Sequence, residues 1–243
     1  MTIKCVLFDF SGTLFRVEST DSWLRAVLTE AEVTVPEPEL VRMAADLESV
    51  GALPGGAVPA RPLPAELAEV WQRRDESGAS HRAAFTGASR QVTLPDPALH
   101  DALYDRHMSP DAWRPYPDAA EVLSALRERG VAVGVVSNIG WDLRPVFREH
   151  GLDAYVGAYI LSYEHGVQKP DVRLFATACE ALGAAPEGTL MVGDDRRADG
   201  GAAALGCATF FVDHLPVAVR PDGLRPVLDL VDRPAGGPRP QLW

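Results

Sequence analysis

Short, continuous apolar runs recur along this chain of 243 residues, and each ends in small or acidic residues. The runs cover residues 5–8, 131–136, 190–192, 208–212 and, more weakly, 155–161. Apolar runs of this length, bounded by turn residues, are typical of parallel β-strands that are buried on both faces. Because such strands need helices packed on each side of their sheet, the runs restrict the chain to a layered α/β architecture.

Amphipathic helical patterns fill the gaps between these runs. Residues 119–129 place Val122, Leu123 and Leu126 on one side, and residues 171–182 carry a second apolar stripe. Strand and helix therefore alternate from residue 118 onward, which predicts a doubly wound, Rossmann-like parallel sheet. Right-handed crossovers in such a sheet bring the loops that follow its strands to one edge.

The region between the first and second apolar runs has a different pattern, because it is helical for about a hundred residues. Candidate helices lie at 21–31, 37–49, 64–77 and 97–107, with a Pro/Gly-rich segment at 53–64. No strand run interrupts this region convincingly. We therefore predict an all-helical cap at residues 16–113, inserted into a core that residues 1–15 and 114–233 form. The Pro/Gly-rich residues 234–243 are predicted to be a tail without regular structure.

The acidic composition narrows the range of partners. The chain has 23 Lys and Arg against 34 Asp and Glu, and its net charge of −11 opposes binding to nucleic acid or anionic lipid. No run of about 18 apolar residues is present, and the first residues lack the pattern of a secretion signal. We expect a cytoplasmic monomer or homodimer with a small-molecule partner, no nucleic acid and no membrane.

Polar residues that suit a ligand site follow the strand runs, at the sheet edge where ligands bind. They are Asp9, Ser11 and Thr13, then Ser137 and Asn138, then Asp194, Asp195 and Asp199, with Lys169 opening the helix before the third run. Several carboxylates at one edge would repel each other unless a cation lay among them. Hard oxygen ligands with open positions suit Mg²⁺ that holds a phosphate.

The order of these residues resembles the four motifs of the haloacid dehalogenase (HAD) superfamily. The matching segments are Asp9-Phe10-Ser11-Gly12-Thr13-Leu14, Ser137-Asn138, Lys169-Pro170-Asp171 and Gly193-Asp194-Asp195 with Asp199. The resemblance covers essentially the whole chain, and residues 16–113 occupy the place of the helical cap found after the first motif. It implies a Mg²⁺-dependent phosphatase that acts on a small phosphorylated metabolite.

By this resemblance, Asp9 is the nucleophile that attacks phosphorus and forms an aspartyl-phosphate, which water then hydrolyses. Asp9, the backbone carbonyl of Ser11 and the Asp194 carboxylate would hold Mg²⁺. Asp199 is implied to orient Lys169 or a metal-bound water. Asp195 would contact the metal ligands without binding the metal itself.

The same resemblance assigns the phosphate-binding groups. Ser137, Asn138 and Gly12 are implied to bind phosphate oxygens, and Lys169 would supply the positive charge that complements the transition state. Thr13 would position the loop that carries the nucleophile. Lys169 is also one of only two lysines in the chain, beside 21 arginines, which favours a functional use for it.

Ser11 departs from the phosphatase pattern. Most phosphatases of this superfamily carry there a second aspartate that protonates the leaving oxygen and then activates water. A serine hydroxyl cannot do this near neutral pH, and general acid–base help is worth about 10²- to 10⁴-fold in rate. The substrate could be an anhydride or acyl phosphate with a good leaving group, or the acid could come from the cap or the substrate.

Other activities of the superfamily provide alternatives. A haloacid dehalogenase-type hydrolase attacks carbon without metal, but Gly193-Asp194 is the metal-binding pattern that dehalogenases typically lack. A phosphonatase needs a lysine in the cap, and residues 16–113 contain none. A weakly active or non-catalytic member that binds a phosphorylated ligand stays open as a third interpretation.

Overall fold

A computed structural model describes residues 2–233, so the tail predicted at 234–243 lies outside the described residues. The strands are β1 (Cys5–Phe8), β2 (Phe15–Val17), β3 (Trp113–Pro115), β4 (Ala132–Ser137), β5 (Ala158–Leu161), β6 (Thr189–Gly193) and β7 (Ala208–Phe211). The helices are α1 (Thr20–Glu30), α2 (Glu37–Ser49), α3 (Ala65–Gln72), α4 (Gly78–Ser89), α5 (Leu99–His107), α6 (Ala119–Glu128), α7 (Arg144–Glu149), α8 (Ser162–His165), α9 (Val172–Ala181) and α10 (Pro226–Val231). None of the helices within this range is both long and apolar enough to cross a bilayer.

Five parallel strands form the central sheet, in the order β5-β4-β1-β6-β7. The predicted doubly wound α/β core is therefore confirmed. In the register of the sheet, Phe8 at the end of β1 lies beside Val135 of β4 and Val192 of β6. The loops that follow these three strands consequently begin at nearly the same level, with the first loop in the middle.

Both faces of the sheet are buried, as the continuous apolar runs predict. Cys5 and Leu7 of β1 belong to a core that includes residues of α9, whereas Val6 and Phe8 belong to a larger core on the opposite side. Leu123 of α6 belongs to that larger core. Side chains alternate between the two faces of a strand, so every residue of β1 must be apolar.

A two-stranded antiparallel ribbon stands at the two ends of the helical region. β2 pairs with β3, with Phe15 opposite Pro115 and Val17 opposite Trp113. The sequence of residues 16–113 shows no convincing strand pattern, but the first and last residues of that region belong to the two strands of this ribbon. Its strands are three residues long, which is too short for an alternating pattern to be recognised.

The predicted helix at 64–77 is wrong at its C-terminal end, and the helix that follows it was not predicted. α3 ends at Gln72, and a 3-10 turn at Arg74–Glu76 leads into α4. Ser77 caps the N-terminus of α4, because its hydroxyl accepts a hydrogen bond from the amide of Ser80 at 3.1 Å. α4 contains mostly Ala, Gly, Ser and Thr, so its hydrophobic contrast is weak. The break leaves Asp75 on a turn.

The segment after β7 is fastened to the core by Asp118. One carboxylate oxygen of this buried residue accepts hydrogen bonds from the amides of Leu224, at 2.7 Å, and Arg225, at 3.1 Å. These two amides lie just before α10, which packs against α6. Asp118 thereby fastens the residues that follow β7 to the start of α6.

We expect Asp118→Ala to lower the free energy of unfolding by about 2–4 kcal/mol, because it leaves two amides without an acceptor. Urea unfolding followed by circular dichroism measures this change. Glu121→Ala is the matched control, since Glu121 pairs with the same segment through Arg225 but on the surface. Equal effects of the two substitutions would contradict the anchoring role of Asp118.

Candidate active site

A cavity of about 220 Å³ lies at the carboxyl ends of the strands, between the sheet and the helical region. Its lining includes all the predicted site residues except Gly12 and Thr13, namely Asp9, Ser11, Ser137, Asn138, Lys169, Asp194, Asp195 and Asp199. The helical region contributes Pro54, Gly55, Arg74, Asp75, His81, Phe85 and Trp113 to the opposite wall. The topology thus brings residues from four distant segments to one site.

A buried ion-pair cluster forms the floor of this cavity. The ammonium of Lys169 donates to Asp9 Oδ1 at 2.7 Å and to Asp199 Oδ1 at 2.5 Å. Only 2% of the Lys169 side chain is exposed. Asp199 is held in turn by the amide of Asp195, which donates to Oδ2 at 3.0 Å. Both oxygens of Asp199 are therefore engaged, and this carboxylate faces Lys169.

The charges in this cluster depend on each other. Burial alone would lower the pKa of Lys169, but Asp199 and Asp9 outweigh it and raise that pKa above its ordinary value. Burial raises the pKa of Asp9 well above its ordinary value, and Lys169 opposes this shift. Lys169 therefore stays charged and is the group that favours the ionised form of Asp9.

Asn138 fixes the backbone of Lys169. Its side-chain oxygen accepts from the Lys169 amide at 2.6 Å, and its side-chain nitrogen donates to the Lys169 carbonyl at 3.0 Å. The amide group that sequence analysis assigned to phosphate is therefore used to hold the lysine. Ser137, at the end of β4, is buried and lines the cavity.

Asp194 is held by two side chains on different segments. Thr13 Oγ1 donates to Asp194 Oδ1 at 3.2 Å, and Nδ1 of His214 lies 2.5 Å from Asp194 Oδ2. Burial would raise the pKa of Asp194, but the hydrogen bond and charge of His214, the charge of Lys169 and the hydrogen bond from Thr13 together lower it. Arg16 contacts the other ring nitrogen of His214 and donates to the Gly55 carbonyl at 2.7 Å. A polar chain thus joins Asp194 to the helical region.

Gly12 supplies space in this arrangement. Its φ is +83°, and a Cβ at this position would lie 2.2 Å from His214 Nδ1 and 2.5 Å from Asp194 Oδ2. Only glycine therefore fits beside the paired Asp194 and His214. The Gly12 amide, which sequence analysis assigned to phosphate, donates to the Phe15 carbonyl at 2.7 Å.

Arg220 supports the nucleophile loop from behind, and sequence analysis did not single it out. Its buried guanidinium donates to the carbonyls of Gly12, Thr13 and Asp213 and lies over the ring of Tyr116. Burial lowers the pKa of Arg220, which nevertheless stays charged. No motif surrounds Arg220 or His214 in the sequence, because both reach the site only through the folded path of the chain after β7.

The acidic groups of the cavity fit a divalent cation. Oxygen atoms of Asp9, Asp194 and Asp199 all lie within 4.8 Å of one another. Lys169 and an amide engage both oxygens of Asp199, and Thr13 and His214 engage those of Asp194, so a cation bound by Asp9 and Asp194 would share Asp194 with these two side chains. A small set of hard oxygen donors that leaves positions for water and substrate suits Mg²⁺.

The helical region is attached to the core at the turn that carries Asp75. The Asp75 carbonyl accepts from the hydroxyl of Ser162, and its amide donates to Gln168 Oε1 at 3.3 Å. Gln168 Nε2 donates to the Gln72 carbonyl at 2.7 Å. Gln168 directly precedes Lys169 in the chain, so one core segment binds both the turn and Asp9.

Comparison with known proteins agrees with this architecture. The sequence profile of the haloacid dehalogenase-like hydrolases matches residues 3–206. A phosphoserine phosphatase of Thermus thermophilus is 31% identical over 176 residues, which are 66% of each chain. An (S)-2-haloacid dehalogenase 4A of Burkholderia cepacia is 29% identical over 88% of this chain and 84% of its own.

A solved structure supports the fold independently. The HAD-hydrolase YfnB of Bacillus subtilis, crystallised with magnesium, superimposes with a TM-score of 0.67 at 17% identity. The superposition covers 96% of this chain and all of that one. The two chains therefore share the layered architecture over nearly their whole length.

We expect Lys169→Met to lower the free energy of unfolding by about 3–5 kcal/mol, because it leaves two buried carboxylates without a counter-charge. Their pKa values would then rise further, so the loss of stability grows as the pH rises from acidic to neutral. Urea unfolding at several pH values measures it. Lys4→Met, at the other lysine, is exposed and should change little. A pH-independent loss at position 169 would contradict the assigned charges.

Proposed function

The chain belongs to the haloacid dehalogenase-like hydrolases, and we propose that it is a Mg²⁺-dependent phosphatase that uses Asp9 as its nucleophile. One observation carries this proposal: a buried ammonium lies 2.7 Å from Asp9 Oδ1, beside an acidic pair suited to a divalent cation. Lys169 opposes the rise that burial causes in the pKa of Asp9 and so favours the ionised form of this carboxyl, which lines the cavity. Relatives named phosphoserine phosphatase and glyceraldehyde 3-phosphate phosphatase support the same reaction class.

In the proposed reaction, an oxygen of Asp9 attacks phosphorus while the bond from phosphorus to the leaving oxygen breaks. Water then attacks the aspartyl-phosphate and releases phosphate. Lys169 and the hydroxyl of Ser137 hold the phosphoryl oxygens, and the lysine charge offsets the negative charge of the transition state. Asn138 keeps Lys169 in place, since it binds both the amide and the carbonyl of that residue.

Asp9, Asp194 and the Ser11 carbonyl would hold the metal. Mg²⁺ would reduce the repulsion between the Asp9 carboxylate and the anionic substrate. Thr13 and Arg220 position this group of ligands, because Thr13 binds Asp194 and Arg220 binds the carbonyls of Gly12 and Thr13.

We propose that the helical region acts as a cap that selects small substrates. It closes one wall of the cavity with Phe85 and Trp113, and the ring of Trp113 packs 4.4 Å from that of Phe10. A cavity of about 220 Å³ suits a small phosphorylated metabolite. Closure of such a wall excludes water from the reacting groups.

A carbon-centred hydrolase is the second candidate, because the dehalogenase relative matches 88% of the chain and position 11 carries no second aspartate. That reaction requires no metal. Halide release from 2-haloacids that persists in EDTA would favour it over phosphatase activity.

We expect Asp9→Asn to abolish Mg²⁺-dependent phosphate release, with a fall of at least about 10³-fold in kcat. Acetyl phosphate, p-nitrophenyl phosphate and small sugar phosphates, each with Mg²⁺ or EDTA, form the substrate panel. Asp101→Asn is the control, because this acid lies on the exposed surface of α5 and pairs with Arg82. Full activity of Asp9→Asn in Mg²⁺ would refute the proposed nucleophile.

We expect Arg220→Lys to lower kcat by about 10- to 100-fold and to weaken the dependence on Mg²⁺ concentration, because one ammonium on a shorter side chain replaces the two guanidinium nitrogens that reach these carbonyls. Titration of activity with Mg²⁺ measures both effects. Arg225→Lys is the matched control, since Arg225 follows in the same segment but forms only an exposed pair with Glu121. An unchanged Mg²⁺ response in Arg220→Lys would show that the loop does not need this support.

A further inference from the structure

We propose that Asp75, on the turn Arg74–Glu76 of the helical region, is the general acid and base that the nucleophile loop lacks at Ser11. This inference rests on the proposed phosphatase function. It identifies a catalytic residue that is contributed from the opposite wall of the cavity, 61 positions or more from each of the four motif segments.

The location of Asp75 is the first argument. The residue lines the same cavity as Asp9, and it is only 4% exposed. Its backbone is held to the core at two points, through Ser162 and Gln168. The turn is therefore fixed over the site, as an acid needs to be if it is to reach a leaving oxygen.

The state of the Asp75 carboxyl is the second argument. Among residues 2–233 it makes no hydrogen bond, and its nearest charged or ionisable partners are Arg74 Nε at 3.6 Å and His81 Nε2 at 3.7 Å. Burial raises the pKa of Asp75, and the charges of Arg74 and Lys169 oppose this only in part. The carboxyl therefore keeps its proton to higher pH than an exposed aspartate and has none of its oxygens committed elsewhere.

The other ionisable groups of the cavity have different tasks. Asp199 is bound to Lys169, Asp194 is bound to Thr13 and His214, and Asp195 accepts from the amides of Arg197 and Ala198. Burial holds the pKa of His81 well below its ordinary value, so its ring is neutral and a poor proton donor.

Ser11 does not supply the missing acid, because an alcohol is a poor proton donor near neutral pH. Its hydroxyl oxygen is buried and has no hydrogen-bond partner among the described residues. Of the groups that line the cavity, Asp75 is thus the carboxyl left to move a proton.

Asp75 donates a proton in the first step of the proposed reaction and accepts one in the second. As Asp9 bonds to phosphorus and the leaving oxygen departs, protonated Asp75 gives its proton to that oxygen and becomes a carboxylate. As water then attacks phosphorus and the bond to Asp9 breaks, the carboxylate takes a proton from that water. Asp75 ends protonated, and the net reaction is hydrolysis of the phosphate ester.

A leaving-group series tests this proposal. For aryl phosphates from p-nitrophenyl to phenyl phosphate, kcat/KM of the full chain in Mg²⁺ should depend only weakly on leaving-group pKa. We expect Asp75→Asn to lower kcat/KM by about 10²- to 10⁴-fold for phenyl phosphate and by less than about 10-fold for p-nitrophenyl phosphate. Because water activation is also lost, p-nitrophenolate should appear in a burst equal to the enzyme concentration.

Glu76→Gln is the matched control, because it removes the neighbouring charge on the same turn, where Glu76 pairs with Arg73. It should leave the leaving-group dependence and the burst as in the unmodified protein. Thermal unfolding checks that each variant is folded. If Asp75→Asn does not fold, Asp75→Ser replaces it, with the same expected change in leaving-group dependence and the same burst.

The outcomes separate the two proposals. An equal loss for all leaving groups without a burst, or a steep dependence already present in the unmodified protein, would overturn the role of Asp75 and leave the phosphatase intact. If no aryl phosphate is hydrolysed in a manner that needs both Mg²⁺ and Asp9, the phosphatase proposal fails, and the role of Asp75 fails with it.

Discussion

The buried ammonium of Lys169 is the interaction on which the site depends. It balances Asp9 and Asp199, two carboxylates that would otherwise keep a proton in this low-dielectric position. Without it Asp9 would be protonated and a poor nucleophile. The need to hold one charged group accurately explains why Asn138 binds its backbone on both sides, and why this arrangement is assembled where β1, β4 and β6 end together.

The same segment connects the two walls of the cavity. Gln168 binds the backbone of Gln72 and Asp75 in the helical region, and the next residue places its ammonium between the two carboxylates. A displacement of the turn would therefore act on Gln168, the residue next to Lys169. The contact with the helical region and the contact with Asp9 thus belong to two adjacent residues of the chain.

Sequence patterns were sufficient for the core because the relevant information is local. Apolar runs mark buried strands, and the polar residues that follow them must meet at one edge, so Asp9, Ser137 and Asp194 could be placed before the structure was known. The break after Gln72 could not be predicted, because the helical pattern continues through it. The new helix begins only where Ser77, five residues later, caps its N-terminus. The role of Arg220 could not be predicted either, since Gly12 and Thr13, whose carbonyls it binds, lie 208 and 207 residues away in the sequence.

The packing around Ser11 explains why an acid would enter from the opposite wall. Gly55 approaches so closely that a Cβ on it would lie 2.5 Å from the Ser11 hydroxyl oxygen, and Arg16 holds the Gly55 carbonyl at 2.7 Å. We expect a longer side chain at position 11, such as aspartate, to require a shift of this loop. The same wall of the cavity carries the proposed acid, Asp75, on a turn that Ser162 and Gln168 hold to the core. A wall that approaches position 11 this closely therefore reduces the space for a carboxyl there and also brings a carboxyl of its own to the cavity.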